Sequence, residues 1–161
     1  MADLRVLFEG LGFRDVRTLL NSGNVVFSVP GSMRGSVLAR IEKALAAKLG
    51  FTSSVIVLSA HEVSTIVHDN PLADVANDVS RLLVVVPRAS SDLERLSPLL
   101  EKRWAPELLA VGRRAAYLWC AEGIGESSLW PAVERALDRS CTGRNMRTIT
   151  KLMALVQEPA S

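Results

Sequence analysis

One succession of secondary-structure elements is predicted twice along the chain, and it constrains the fold more than any other feature of the sequence. Each half contains an amphipathic helix, a β-hairpin and a second amphipathic helix, as judged from apolar residues at helical and strand spacing. The later helices also match in sequence, because residues 41–45 (IEKAL) resemble residues 133–137 (VERAL). We therefore predict an α+β chain built from two similar halves.

The elements of the first half are separated by glycine and by polar turn residues. Two amphipathic helices are predicted, and each is followed by a glycine that suits a left-handed helix end. The predicted helices cover residues 3–11, 37–49 and a short segment at 60–68, and the predicted strands cover 16–20, 25–29 and 54–58.

The second half repeats the order and adds a strand before it. Residues 81–86 are almost continuously apolar, which is typical of a strand at the centre of a sheet. Pro98 lies inside the next predicted helix, so we expect a kink or a restart there. The remaining predicted elements are helices at 91–103, 127–139 and 145–156 and hairpin strands at 107–111 and 115–121.

A helix, a hairpin and a helix, with one strand before and one after, make the split βαββαβ unit of ferredoxin-like proteins. We therefore predict two ferredoxin-like halves in tandem, each an antiparallel sheet with its helices on one face. The predicted domains are residues 1–59, a connector with a short helix at 60–80, and residues 81–157.

Each half departs from this unit at one end. The first half has no leading strand, and the second half has a helix at 145–156 where its final strand is expected. A missing strand leaves backbone donors and acceptors unpaired in a sheet. We expect that a short N-terminal stretch is missing, or that another segment or a second copy of the chain pairs with the open edge.

Composition narrows the class of protein. The chain has 161 residues and a net charge of +2, and its apolar runs are far shorter than the roughly 20 residues that span a bilayer. It has no signal-peptide pattern at Met1 and only two cysteines. We expect a soluble, cytoplasmic protein that makes no contact with membranes and contains reduced thiols.

Five segments of the chain form a recognisable pattern, namely residues 1–5 (MADLR), 12–13 (GF), 15–18 (DVRT), 22–27 (SGNVVF) and 142–152 (TGRNMRTITKL). Together they resemble the bacterial domain of unknown function 1697 family. Members of this family usually begin with an extra strand and a glycine-rich turn. The resemblance therefore implies that this chain lacks that segment, with Met1 an internal methionine, and it implies no particular activity.

The basic segment near the C-terminus is the first candidate site. Positive side chains at Arg144, Arg147 and Lys151 fall on one face of a helix that begins at Asn145, and Thr142 or Asn145 could cap it. Free N–H groups, a helix dipole and guanidinium groups favour an anion. The segment thus suggests contact with a phosphorylated small molecule or with nucleic acid. The alternative is a solvated helix face, or side chains that hold the two halves together.

The first hairpin turn is the second candidate site. Asn21, Ser22 and Asn24 could present amide and hydroxyl groups to a ligand. The alternative is structural, since asparagine, serine and glycine are the residues that a tight hairpin turn requires.

No motif predicts a cofactor or a metal. His61 and His68 are two helical turns apart, about 10 Å, which is too far for one shared ion. Cys141 precedes the basic segment, where arginines could lower its pKa and make the thiol reactive. No other catalytic constellation is present, so a binding module is the first hypothesis. An enzyme with a site between the halves and a self-associating structural protein are the alternatives.

Overall fold

The chain folds into two compact units. The computed structural model describes residues 2–19, 23–31, 33, 35–50 and 55–157. Unit 1 is formed by Met1–Val57 together with Ala154–Ser161, and unit 2 is formed by Leu58–Met153. The domain boundaries predicted at residues 59 and 81 stay a prediction. Within the described ranges, none of the helices is long and apolar enough to cross a membrane.

Unit 1 contains the helix–hairpin–helix succession predicted from the sequence. Its strands β1 and β2 pair in antiparallel fashion, and its core includes three phenylalanine rings, Phe8, Phe13 and Phe27, with centroids 4.5–5.8 Å apart. The elements are α1 (Ala2–Gly10), β1 (Arg14–Leu19), β2 (Asn24–Ser28) and α2 (Val37–Leu49).

The two ends of α2 are fixed by Ser36 and by Gly50, of which the sequence predicts Gly50. The Ser36 hydroxyl accepts a hydrogen bond from the Ala39 N–H, which satisfies one of the free donors at the helix start. Gly50 ends the helix with φ +80°, a conformation that side-chain-bearing residues seldom adopt. The helix therefore has the predicted bounds of residues 37–49.

The strand predicted at residues 54–58 is wrong over its described part. Residues 55–58 have no strand pairing. The side chains of Val55 and Val57 instead pack against the apolar core of unit 1. Their β-branched shape suits a half-buried surface, and here they cover one without forming a hydrogen-bonded ladder.

The end of the chain returns to unit 1. The Arg17 guanidinium donates a hydrogen bond of 2.7 Å to the Leu155 carbonyl, near the end of the last helix. Carbonyl groups in a final helical turn have no partner within the helix, and a positive charge there also complements the helix dipole. This contact ties the first hairpin to the C-terminal residues of the same unit.

Unit 2 is organised around a four-stranded sheet. The strand order is β4-β5-β3-β6, and all neighbouring strands are antiparallel. The elements are α3 (Ala60–His68), β3 (Leu82–Pro87), a 3₁₀ helix (Ser90–Leu96) leading into α4 (Ser97–Leu100), β4 (Leu108–Val111), β5 (Ala116–Trp119), a 3₁₀ turn (Ile124–Glu126), α5 (Leu129–Ala136), β6 (Cys141–Asn145) and α6 (Met146–Gln157). The last of these is shared, because its residues from Ala154 onward belong to unit 1.

The central strand is the one that the sequence predicts. All six residues of β3 are buried, and the strand pairs with β5 on one side and with β6 on the other. The continuous apolar run is required because both faces of the strand are covered. Leu83 and Val85 face the core formed with α5, where Leu129 and Val133 are buried.

The helix predicted at residues 91–103 is divided at Pro98. A 3₁₀ helix over Ser90–Leu96 precedes α4, which starts at Ser97 and places Pro98 in its first turn. Proline is tolerated there because the first N–H groups of a helix have no partner within it. The predicted restart is confirmed, and the helix ends at Leu100 rather than at residue 103.

The second half does contain a final strand, so its predicted absence is wrong. Cys141–Asn145 forms β6 against β3, and α6 follows directly. The sequence did not predict this strand because most of its residues are polar and show no alternation of apolar and polar side chains. Gly143 lies where the Trp130 ring packs closely, since an added Cβ would be 3.1 Å from that ring. A larger residue at this strand position would therefore require the indole to shift by a few tenths of an ångström.

The helical segment Ser90–Leu100 and α5 share one face of the sheet, as predicted for the helices of the second half, and α3 adds a helix on the other face. Tyr117 alternates with Ala116 and Leu118, so its side chain lies on the face opposite α5. Its hydroxyl donates a 2.6 Å hydrogen bond to the Ile66 carbonyl of α3. The short helix predicted as part of the connector therefore packs on the second face, with Ile66 buried.

A buried carboxylate holds the start of α5. Glu107 is only 8% exposed, and it accepts hydrogen bonds from the Ser127 hydroxyl and from both the N–H and the hydroxyl of Ser128. The Leu129 N–H is a further donor at 3.4 Å. The glutamate therefore caps the helix from a different segment and lies against the positive end of the helix dipole.

Replacing Glu107 with alanine is expected to lower the free energy of unfolding of unit 2 by about 2–4 kcal/mol, because several donors at the start of α5 lose their acceptor. Glu107→Gln keeps one acceptor oxygen and should cost less. Urea denaturation followed by circular dichroism measures both variants. Glu101→Ala, at an exposed position of the neighbouring loop, is the control. Equal stability of Glu107→Ala and Glu101→Ala would contradict the capping role.

Candidate functional site

The basic segment is divided between a strand and a helix. Thr142 and Arg144 lie on β6, Asn145 ends that strand, and Arg147 and Lys151 lie on α6. The predicted common helix face is therefore wrong for Arg144. It holds for Arg147 and Lys151, which are four residues apart, exposed, and so on the same side of α6.

Two of the polar candidate residues have local structural partners. The Asn145 side-chain oxygen accepts a 2.9 Å hydrogen bond from the Thr148 N–H and caps α6, as the sequence predicts. The Thr142 hydroxyl oxygen accepts a 2.8 Å hydrogen bond from Arg144, which also donates to the Gly143 carbonyl. Asn145 and Thr142 thus position the segment.

Arg144 is the half-buried cation of the segment. It pairs with Val84 of β3, so its side chain lies on the sheet face opposite Leu83 and Val85. Burial lowers the pKa of the guanidinium, because the charged form loses water around it. Arginine remains protonated at neutral pH all the same, since its ordinary pKa is above about 12. A partly desolvated guanidinium interacts more strongly with an anion than one in open water does.

The charges of Arg147 and Arg81 both act on the Asp78 carboxylate, and Arg81 was not among the predicted site residues. The Asp78 carboxylate accepts hydrogen bonds from the hydroxyl and the N–H of Ser80, and these bonds lower its pKa. The charges of Arg81 and Arg147 add to this effect, and the Arg81 Nε lies 3.6 Å from the carboxylate. Arg81 therefore belongs beside the segment, although it is distant in sequence and only the pairing of β3 with β6 brings it there.

We call Arg81, Arg144, Arg147 and Lys151 the basic cluster. Its members lie immediately before β3, on β6 and on α6, all within unit 2. The Asp78 carboxylate is 3.6 Å from the Arg81 Nε, and the charge of Arg147 also lowers its pKa. The cluster therefore keeps an excess of positive charge around the start of α6, where the helix dipole is also positive.

The predicted turn site lies in unit 1. Asn21 and Ser22 fall outside the described residues. Asn24 is 8% exposed, and its side-chain nitrogen donates a 3.3 Å hydrogen bond to the Leu19 carbonyl across the hairpin. Gly23 has φ +81°, as a tight turn requires. The Asn24 contact favours the structural interpretation of this turn.

The two thiols have raised pKa values. Burial, with a contribution from Glu134, raises the pKa of Cys141 to about 11, and burial also raises the pKa of Cys120. The prediction that arginines lower the Cys141 pKa is therefore wrong, because burial and the Glu134 carboxylate raise it. Across the described ranges, no group of three or more histidine, cysteine or acidic side chains is placed to hold a metal ion.

Comparison with known proteins places the chain in a family. The model for the family described as protein of unknown function (DUF1697) matches residues 1–117. The chain belongs to the DUF1697 family. The match ends within β5, so the resemblance carried by residues 142–152 stays a prediction. No curated protein matches the chain.

A solved structure has the same fold as this DUF1697 protein. It is the structure of the conserved bacterial protein SP0830 from Streptococcus pneumoniae, with a TM-score of 0.77 and 20% sequence identity. The alignment covers 98% of this chain and 88% of that chain. At this identity the likeness concerns the fold alone, a mixed α+β arrangement of two antiparallel sheets with helices.

In the DUF1697 protein, α3 is tied to the β4–β5 hairpin by two ion pairs. Arg114 lies 2.8 Å from the Glu62 carboxylate and also donates to the Pro87 carbonyl, and Arg113 makes two 2.8 Å hydrogen bonds to Asp69. Burial opposes ionisation of Glu62, but the Ser59 N–H and Arg114 outweigh it, so the Glu62 pKa is lowered. Hydrogen bonds from Arg113 lower the pKa of Asp69.

The lowered pKa of Glu62 predicts a loss of stability in acid. A carboxyl whose pKa is depressed by folding stabilises the native state above its unfolded pKa of about 4, and that stability is lost as the pH falls through the folded pKa. The difference in unfolding free energy between wild type and Glu62→Gln should therefore be largest near neutral pH and shrink below about pH 4. Urea denaturation at several pH values measures it.

The exposed Glu94 provides the control, because Glu94→Gln should follow wild type throughout. If the difference in unfolding free energy between wild type and Glu62→Gln stayed constant from neutral to acidic pH, the Glu62–Arg114 pair would not be the source of stability assigned to it.

Proposed function

We propose that this DUF1697 protein is a binding module for an anionic ligand, with a phosphate group held by the basic cluster. The observation that carries the proposal is the half-buried Arg144, two residues before the first residue of α6, with Arg147 in the first turn of that helix. Guanidinium groups bind phosphate oxygens in a bidentate manner, and the start of a helix favours negative charge.

The arrangement supports a rigid site rather than a solvated charge run. Arg144 is held by the Thr142 hydroxyl and the Gly143 carbonyl, and the start of α6 is fixed by the Asn145 cap. A cation that is already positioned loses little side-chain freedom when an anion binds. Arg147 and Lys151 are exposed and can follow the anion from one side.

The sheet faces favour a small phosphorylated molecule over nucleic acid. RNA-binding sheets of the βαββαβ type stack bases on exposed aromatic side chains of their central strands. Tyr117 on β5 is fully buried beneath α3, and Val84 on β3 is fully buried as well. A nucleic acid would therefore have to bind through its backbone at the basic cluster alone.

We also propose that unit 2 is a ferredoxin-like unit. Its element order is β3-α4-β4-β5-α5-β6, and its strand order is β4-β5-β3-β6. The strands that α4 joins, β3 and β4, have β5 between them, and the strands that α5 joins, β5 and β6, have β3 between them, as in the ferredoxin-like unit. The described part of unit 1 contains one helix–hairpin–helix succession. The tandem repeat of the ferredoxin-like unit rests on that similarity and on the match of residues 41–45 with 133–137.

Isothermal titration with inorganic phosphate and with a nucleoside monophosphate tests the binding proposal. We expect saturable binding that weakens about tenfold in the Arg147→Gln, Lys151→Gln double variant and that falls with added salt, as charge-assisted contacts do. Arg144→Lys keeps the charge but not the bidentate geometry, so it should weaken binding as well.

Lys43→Gln, Lys48→Gln removes the same number of charges from exposed positions of α2 and is the matched control. Equal affinity of the two double variants, or no saturable binding of either phosphate compound at low salt, would refute the proposal. Tighter binding of a short single-stranded RNA than of the mononucleotide would move the ligand class to nucleic acid.

The two alternatives stay predictions. They are an enzyme with a site between the halves and a protein that self-associates through an open sheet edge. Light scattering at high protein concentration tests the second, because a strict monomer would exclude it.

A further inference from the structure

A concave site lies in unit 2, along the segment between α4 and β4. It is an open pocket of about 390 Å³ lined by residues of the segment 99–109, with Trp104 among them. This volume is at the lower end of the range for pockets that hold small molecules. The pocket is formed by a different segment from the basic cluster, so it is a separate candidate.

The pocket wall is held in place by hydrogen bonds at both ends. The Trp104 indole N–H donates a 2.8 Å hydrogen bond to the Leu99 carbonyl, and the Trp104 carbonyl accepts one of 2.9 Å from the Glu107 N–H. The Glu107 side chain is in turn anchored at the start of α5. The loop that carries the indole is therefore positioned before any ligand arrives, which lowers the entropic cost of binding.

Apolar side chains are exposed around this pocket. Leu100 is 48% exposed and Leu108 is 40% exposed, and both line it together with Leu99 and Leu109. Large apolar side chains that share one concavity with a half-buried tryptophan offer a surface for a flat apolar group.

The charges at the pocket are not balanced. Lys102 and Arg103 line it side by side and are exposed, and neither has a carboxylate partner in the part of the chain that the structure describes. The Glu107 charge is compensated by donors at the start of α5, and Glu101 is the other acidic residue in the lining. Two cations against one exposed carboxylate leave a positive excess at the rim.

We propose that this pocket binds a small aromatic anion, a molecule with one planar ring and one phosphate or carboxylate group. The ring packs against the Trp104 indole and the flanking leucines. The anionic group lies at the rim beside Lys102 and Arg103, where a charge is still partly hydrated and can be attracted by both cations. The ring and the charge each contribute, so a molecule that has only one of them binds more weakly.

Nuclear magnetic resonance of the full chain tests this proposal with benzyl phosphate as the probe. The indole N–H signal of Trp104 can be assigned from its loss in Trp104→Phe. We expect saturable shifts of that signal and of the backbone amides of residues 99–109. Benzyl alcohol, which lacks the charge, and inorganic phosphate, which lacks the ring, should each bind at least about fivefold more weakly, because a single type of contact then remains.

The double variant Lys102→Gln, Arg103→Gln should weaken benzyl phosphate binding about fivefold, while leaving that of benzyl alcohol unchanged. Both positions are exposed, so the fold should be retained. Lys43→Gln, Lys48→Gln is again the charge-matched control and should bind as wild type does.

Saturable shifts of residues 99–109 that are sensitive to the Lys102→Gln, Arg103→Gln change would support the proposal, whether or not the basic cluster also responds to the probe. Shifts at Arg144 and Arg147 instead would place the probe at the basic cluster and overturn it, as would the absence of any saturable shift. Equal weakening by the control variant would also overturn it, because the effect would then be one of net charge. The outcome does not depend on whether the basic cluster binds phosphate.

Discussion

The pairing of β3 on both of its edges is the constraint on which the rest of unit 2 depends. Leu82–Pro87 is buried along its whole length, and its neighbours β5 and β6 come from later parts of the chain. Once an apolar strand of this kind is central, each face of the sheet must be covered. The helix α5 covers one face and α3 the other, where Tyr117 joins it to the sheet.

The same pairing decides what the basic segment can do. By binding Cys141–Asn145 as an edge strand, β3 places Arg144 on a sheet face and Arg147 at the start of a helix, with Arg81 nearby. A continuous helix through the segment would present these cations as one exposed stripe. The observed turn from strand to helix instead gives one half-buried guanidinium on β6 and exposed cations on α6. The proposal of an anion site rests on this arrangement.

Most of the elements could be predicted from the sequence, because helix ends at Gly50 and Pro98 and the apolar run of β3 have local causes. The strand β6 could not, since CTGRN has no apolar alternation and forms a strand by pairing with β3. Part of the candidate site could also be predicted, since Asn145 caps α6 as its sequence position suggests. The place of Arg81 near Arg147 and the pocket at Trp104 could not, because both depend on tertiary structure. The Cys141 pKa was mispredicted because burial cannot be read from neighbouring charges.

Amide hydrogen exchange of residues 141–145 tests the central claim most directly, because the account depends on this segment being a strand held by β3. Amides of β6 that bond to β3 should be strongly protected and should open together with the β3 amides, as members of one cooperative unit do. Exchange of all five amides at the rate of an unstructured chain, with protection beginning only inside α6, would contradict the account.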